Sequence, residues 1–195
     1  MKTIELKGTK RADFGKKESK KVRKEGLVPC VVYGNGDTVH FSVDAKELGK
    51  LIYTPNSYIV NFDLDGEKIV AVMREVQYHP VKEEMLHVDF YRVAERKPVA
   101  IDIPVKLYGN SEGVKLGGKL TLSKRKIRVS GLVKDLPDTL DIDVTPIGLG
   151  KSVFVGDLKY DNIALLTPAT TAVCAVMMTR AARGAAAAAA AEEKK

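Results

Sequence analysis

Alternation with a period of two is what most restricts this chain. In MLHVDFYRV, residues 85 to 93, Leu86, Val88 and Phe90 alternate with His87, Asp89 and Tyr91. That is the signature of a strand with one dry face and one wet face. Related segments precede it: LVPCVVYG from Leu27, TVHFSV from Thr38, YIVNFDL from Tyr58 and KIVAVMREVQ from Lys68. Turn chemistry separates them. GNGD follows the first and DG joins the last two, both strong hairpin signals. KTIELK at the start predicts a further short strand, and AKELGKLI a short helix. About six strands and two helices in residues 1–96 predict a small antiparallel barrel or sandwich with peripheral helices.

A polar joint, Glu95-Arg96-Lys97, opens the second half. VAIDIPVKLYG, KIRVSGLV, TLDIDVTPI, KSVFVGDL and TTAVCAVMMT are again strand-like, with Gly, Pro and Asp between them. They predict a β-rich domain over residues 97–180. RAARGAAAAAAAEEKK closes the sequence. An alanine helix this short, with no apolar stripe, is marginal in water, so residues 181–195 are expected to form a flexible tail. At 195 residues the chain suits two modest domains.

Composition removes several classes of function. Cys30 and Cys174 lie far apart, each within an apolar run, as small buried thiols in a reducing compartment do. His40, His79 and His87 show no metal-ligand spacing, and neither a metal nor a cofactor is expected. No apolar stretch is long enough for a membrane span and the start lacks the apolar run of a secretory signal, so the expectation is a cytoplasmic protein.

Charge points to a partner. The net charge of +7 is unevenly spread: residues 1–26 hold ten Lys or Arg against four Asp or Glu. Within KRADFGKKESKKVRKEG the stretch between Gly15 and Gly26 permits a helix of roughly ten residues, with Gly26 placed to end it. Lys16, Lys20, Arg23 and Lys24 then share one face. Such a helix is unstable alone and needs something to lie on; its charge suggests a polyanion.

Three patterns mimic catalytic motifs. GLGKS at Gly148–Ser152 resembles the end of a phosphate-binding loop, but Thr145 stands where the pattern needs its first glycine and no helical pattern follows. DFG at Asp13–Gly15 lacks every companion motif of a kinase. A thiol hydrolase can be written with Cys30, His87 and Asp89, yet Cys30 sits in an apolar strand and no oxyanion element is visible. The chain is not expected to be an enzyme.

Three segments together resemble a known family: RADFGKKESKKVRKEGLVPCVVYG, VQYHPVKEEMLHVDF, and the β-rich second half with GVKLGGKL and LDIDV. They are similar to the bacterial large-subunit ribosomal protein that binds 5S ribosomal RNA, the general stress protein Ctc family, in its long two-domain form. The resemblance implies an N-terminal six-stranded antiparallel β-barrel with flanking helices, a mainly β, α+β fold. It implies that residues 1–96 bind the loop E region of 5S RNA. It further implies that the second domain lies against the ribosome's central protuberance, where neighbouring ribosomal proteins are candidate partners. Position by position, the family's RNA-contacting residues fall on Arg11, Lys16, Ser19, Lys20, Arg23, Tyr33, Arg74, His87 and Asp89. The chain departs from the family by presenting lysines at Lys20 and Lys21 where arginines are usual, so one compact charge replaces a bidentate fork. Arg74 stands where some members carry glutamine.

The residue chemistry is consistent with that implication. Regular RNA helices hide their major groove, and proteins read shallow grooves, irregular bases, 2′-hydroxyls and phosphates. Tyr33, His87 and Asp89 can exchange hydrogen bonds with base edges and hydroxyls while the lysine-rich helix holds phosphates. Asp89 repels phosphate, so it makes sense as an acceptor for amino or hydroxyl groups or as a brace for His87. A second basic run, Lys115, Lys119, Lys124, Arg125, Lys126 and Arg128, holds no acidic residue between its ends. It is either a solvated hairpin or a second contact with RNA or an acidic protein. The competing reading of the whole chain is a ribosome-independent RNA- or tRNA-binding module with a similar barrel.

Overall fold

The computed structural model describes residues 1–94, 97–180, 182 and 183. The chain divides into two compact units, Met1–Ile101 with Gly131–Asp138, and Asp102–Ser130 with Thr139–Lys195.

In the first unit the elements run β1 (Lys2–Lys10), α1 (Lys16–Lys24), β2 (Leu27–Gly34), β3 (Val39–Asp44), α2 (Ala45–Ile52), β4 (Tyr58–Leu64), β5 (Glu67–Tyr78) and β6 (Met85–Arg92). The six strands close into a barrel in the order β1-β3-β2-β6-β5-β4. Both helices form where the spacing placed them. The Asp44 side chain starts α2 by accepting from the Lys46 amide at 2.8 Å, and Gly26, at φ +82°, follows the end of α1.

One expectation needs correcting. The barrel is not wholly antiparallel: β1 runs parallel to β4, and β2 parallel to β6. Tight turns reverse the chain, so β2–β3 and β4–β5 pair antiparallel as the turn residues require. The DG turn has Asp65 and Gly66 at φ 53° and 91°, the paired positive values of the hairpin turn that matches strand twist. The two parallel seams join strands far apart in sequence, where no turn sets direction.

Inward-facing residues of the alternation build the core. Phe41, Phe62 and Phe90 are buried with Val28, Cys30, Val32, Val60 and Val88 around them. Phe62 meets Phe41 and Phe90 at centroid distances of 4.9 and 4.7 Å, the edge-on contacts aromatic rings prefer. Leu48 and Leu51 pin α2 to the same core.

β5 carries a bulge. Met73 pairs with Phe90, yet Glu75 pairs with Asp89, so Arg74 is an inserted residue. The insertion switches the phase of the strand: Met73 and then Val76 pack on the core, while Glu75 and Gln77 join the outer face.

The second half is β-rich as expected. It contains β7 (Val99–Tyr108), α3 (Glu112–Lys115), β8 (Lys119–Leu122), β9 (Lys126–Gly131), β10 (Leu140–Asp143), β11 (Ser152–Phe154), β12 (Ile163–Leu165) and β13 (Ala172–Met177). They form a four-stranded sheet, β10-β7-β9-β12, and a three-stranded sheet, β11-β13-β8. Val144, Ile147, Cys174 and Val176 form a core beside the smaller sheet. Ser152 leads into strand β11, not a helix, so GLGKS forms no phosphate cradle. Apart from residues 182 and 183, the expectation of a flexible tail lies outside the described residues.

Candidate nucleic-acid interface

The site is assembled from one helix and one barrel wall. α1 buries no side chain completely, so its placement rests on what it touches. It packs against β2, and the Arg23 Nε donates to the Leu86 carbonyl of β6 at 3.0 Å. Glu18 in its first turn and Lys21, Arg23 and Lys24 in its last suit the helix dipole, whereas Lys16 and Lys17 at its start oppose it. Lys16 and Lys20 are exposed, and Ser19 is half-buried, with its amide bonded to the Gly15 carbonyl at 3.0 Å.

The wall follows from register. Val31 of β2 stands beside Asp89 of β6, and Tyr33 beside Tyr91. The two tyrosines meet edge-on at 6.1 Å. On the other side of β6, Glu75 pairs with Asp89 and Gln77 with His87. The outer surface of β6 is thus a polar strip, His87, Asp89 and Tyr91, bordered by Gln77, Glu75 and Tyr33.

Within it, His87 Nδ1 and Asp89 Oδ1 lie 2.6 Å apart, both side chains partly open to solvent. A carboxylate can only accept, so this contact assigns the proton to Nδ1. When the ring is neutral, Nε2 is left as an acceptor. With Asp89 and Glu75 it makes an acceptor-rich strip that repels phosphate and suits amino and hydroxyl groups, such as the guanine amino group of a minor groove. The cations lie on the neighbouring helix. A surface so divided is able to hold a phosphate backbone and base edges with different groups.

Arg11 is half-buried at the end of β1. Its amide donates to the His40 carbonyl at 2.9 Å and its Nη2 to the Asp13 carbonyl at 3.3 Å. The structure therefore gathers Arg11, Lys16, Ser19, Lys20, Arg23, Tyr33, His87 and Asp89 onto α1, the loop before it and the adjoining β3–β2–β6 wall. Arg74 is placed differently: as the bulge residue it turns its Nη1 to the Ala100 carbonyl at 3.2 Å. Sequence reasoning missed Glu75 and Gln77 as wall members; it set Tyr91 on the wet face of its strand without counting it among the site residues. The signal was present, because the apolar spacing of β5 lengthens from two to three between Met73 and Val76.

Cys30 belongs to no site. It pairs with Val88 on the inward face, while His87 and Asp89 face outward. Burial, reinforced by the Asp89 carboxylate, pushes its thiol far above the ordinary value, which leaves no thiolate for chemistry. Among the described residues no cluster of His, Cys, Asp or Glu could hold a metal ion. No helix among them is long and apolar enough to cross a membrane.

Two family models match the chain in succession. Residues 6–90 match the Ribosomal L25p family, and residues 98–180 match the family described as ribosomal protein TL5, C-terminal domain. The large ribosomal subunit protein bL25 of Bacteroides thetaiotaomicron is 49% identical, covering 92% of this chain and 94% of that relative. The proteins of the same name from Phocaeicola vulgatus and Porphyromonas gingivalis are 48% and 45% identical, each over 92% of this chain and 94% of their own length. With both halves matched and the relatives aligned almost end to end, the chain belongs to the ribosomal L25p family.

Proposed function

We propose that this chain is a structural, non-catalytic component of the large ribosomal subunit, acting in the cytoplasm, and that residues 1–96 form a domain that clamps an irregular internal loop of 5S ribosomal RNA of the loop E kind. The observation that carries the reading is the Arg23–Leu86 hydrogen bond, which ties the cationic helix to the strand bearing His87 and Asp89. A single surface then offers cations for phosphates and acceptors for base edges and 2′-hydroxyls. Lys16, Lys20 and Arg23, with Arg11 and Ser19, hold the backbone; Tyr33, His87 and Asp89 meet the groove. Arg74, turned to Ala100, reaches RNA only by leaving that carbonyl.

Residues 97–180 act as a second domain toward ribosomal neighbours. Lys115, Lys119, Lys124, Arg125, Lys126 and Arg128 are all exposed and supply its cationic surface toward RNA or an acidic protein.

The test is binding of the full chain to transcribed 5S RNA across a salt series, with footprinting. Neutralising about four to six phosphates gives a slope of log affinity on log salt of roughly −3 to −5, with protection confined to one internal-loop region. A flat salt response, or diffuse protection, overturns the reading. Migration away from ribosomes on sucrose gradients of cell lysate would favour the ribosome-independent module instead.

A further inference from the structure

An exposed aromatic borders the surface described so far. Phe14 sits in the loop between β1 and α1 and is 61% exposed. A lone exposed apolar side chain is ordinary; its setting is not. The ring packs on the imidazole of His40 with centroids 4.6 Å apart and planes inclined at 54°. His40, exposed on β3, pairs with Val31, which in turn pairs with Asp89. Phe14 and His40 therefore border the same wall, on the side away from Gln77. The backbone just before the ring is anchored by the Arg11 amide on the His40 carbonyl and by the Arg11 guanidinium on the Asp13 carbonyl. Lys16, a phosphate-gripping candidate, follows two residues later.

We propose that Phe14, braced by His40, is a stacking shelf for one unpaired base of the bound RNA, an inference that rests on the reading of 5S RNA as ligand. Irregular RNA loops splay bases out of their stack, and aromatic faces receive such bases whatever their identity. His40 meets the ring at a tilt of 54° and leaves it 61% exposed, open to a partner. The neighbouring helix brings the RNA backbone within reach, and the shelf adds affinity without charge. Its contribution is therefore independent of the counterions that helix binding releases.

The experiment measures binding of the full chain to transcribed 5S RNA over a salt series for wild type, Phe14→Leu and Phe14→Tyr. Phe14→Leu is expected to lose about ten-fold or more in affinity, the scale of one base stacked on an aromatic. Its salt slope should match wild type, and Phe14→Tyr should bind as wild type does. Full affinity in Phe14→Leu overturns the shelf while wild-type binding leaves the clamp standing. A changed salt slope, or a tyrosine variant as weak as the leucine one, also overturns it. So does poor incorporation of Phe14→Leu into ribosomes at unchanged RNA affinity, which would assign Phe14 to a protein neighbour. A wild-type chain that does not bind 5S RNA overturns the clamp and the shelf together.

Discussion

Arg23 donates its Nε to the backbone carbonyl of Leu86 at 3.0 Å, across the gap between α1 and β6. The bond anchors one nitrogen of the guanidinium and leaves its two terminal amines directed by that anchor. It also gives a short helix with no fully buried side chain a fixed seat.

Lysine at this position keeps the charge but has no Nε–H in the right place. Arg23→Lys is expected to lower RNA affinity several-fold with nearly the same salt slope, and to speed amide exchange across residues 16–24. The lost hydrogen bond is worth about 1 kcal/mol, a large share of what holds so short an element. Exchange rates in the helix equal to wild type would show that packing on β2 suffices.

His87 and Asp89 act as a unit if their 2.6 Å contact sets the tautomer. His87→Ala is expected to cost about 1–3 kcal/mol of RNA binding, by leaving partners on the RNA unpaired. Asp89→Ala should cost a similar amount, since the ring then loses its preferred tautomer. The double variant should cost less than the sum of the two single ones, because coupled residues fail to add. Additive losses in a double-mutant cycle would mean that the two side chains contact RNA separately.

Much of this surface was legible in sequence because its determinants are local. Alternation located β2 and β6, and Asp65-Gly66 dictated a hairpin. AKELGKLI coincides with α2, since capping by Asp44 and the apolar spacing of Leu48 and Leu51 act over a few residues. What escaped was non-local. Nothing near β1 or β2 says that each has a parallel neighbour, because direction there is decided by barrel closure. The bulge at Arg74 is different: it left a local trace, the lengthened apolar spacing between Met73 and Val76, that went unread. The Phe14–His40 and Arg23–Leu86 contacts join segments whose sequences carry no trace of one another.

Glu67 predicts a pH dependence. The hydrogen bond from Lys10 at 2.7 Å, then the Lys10 charge, and then Arg92 hold its carboxyl below the ordinary value of 4.5. A depressed carboxyl stabilises the fold above its unfolded value and loses that contribution as pH falls through its folded one. The melting temperature of wild type should therefore exceed that of Glu67→Gln at about pH 7 and converge with it below about pH 4. The pair is exposed, so the difference should be small and should shrink in about 1 M salt. A gap that widens on acidification would contradict the sign.

Cys30 gives the sharpest division between core and site. Its side chain is 1% exposed, and its thiol lies far above the ordinary value because burial disfavours the thiolate. Alkylation of the folded chain should therefore be slow and should accelerate only when denaturant opens the barrel. Cys30→Ser places a hydroxyl among Val28, Val32 and Val88 and should cost about 1–3 kcal/mol of stability. Once allowance is made for the folded fraction, its RNA affinity should equal wild type, because the thiol faces away from His87 and Asp89. Rapid labelling of the native protein would require Cys30 to reach solvent through the same wall that presents His87 and Asp89, and the inward register with Val88 forbids that.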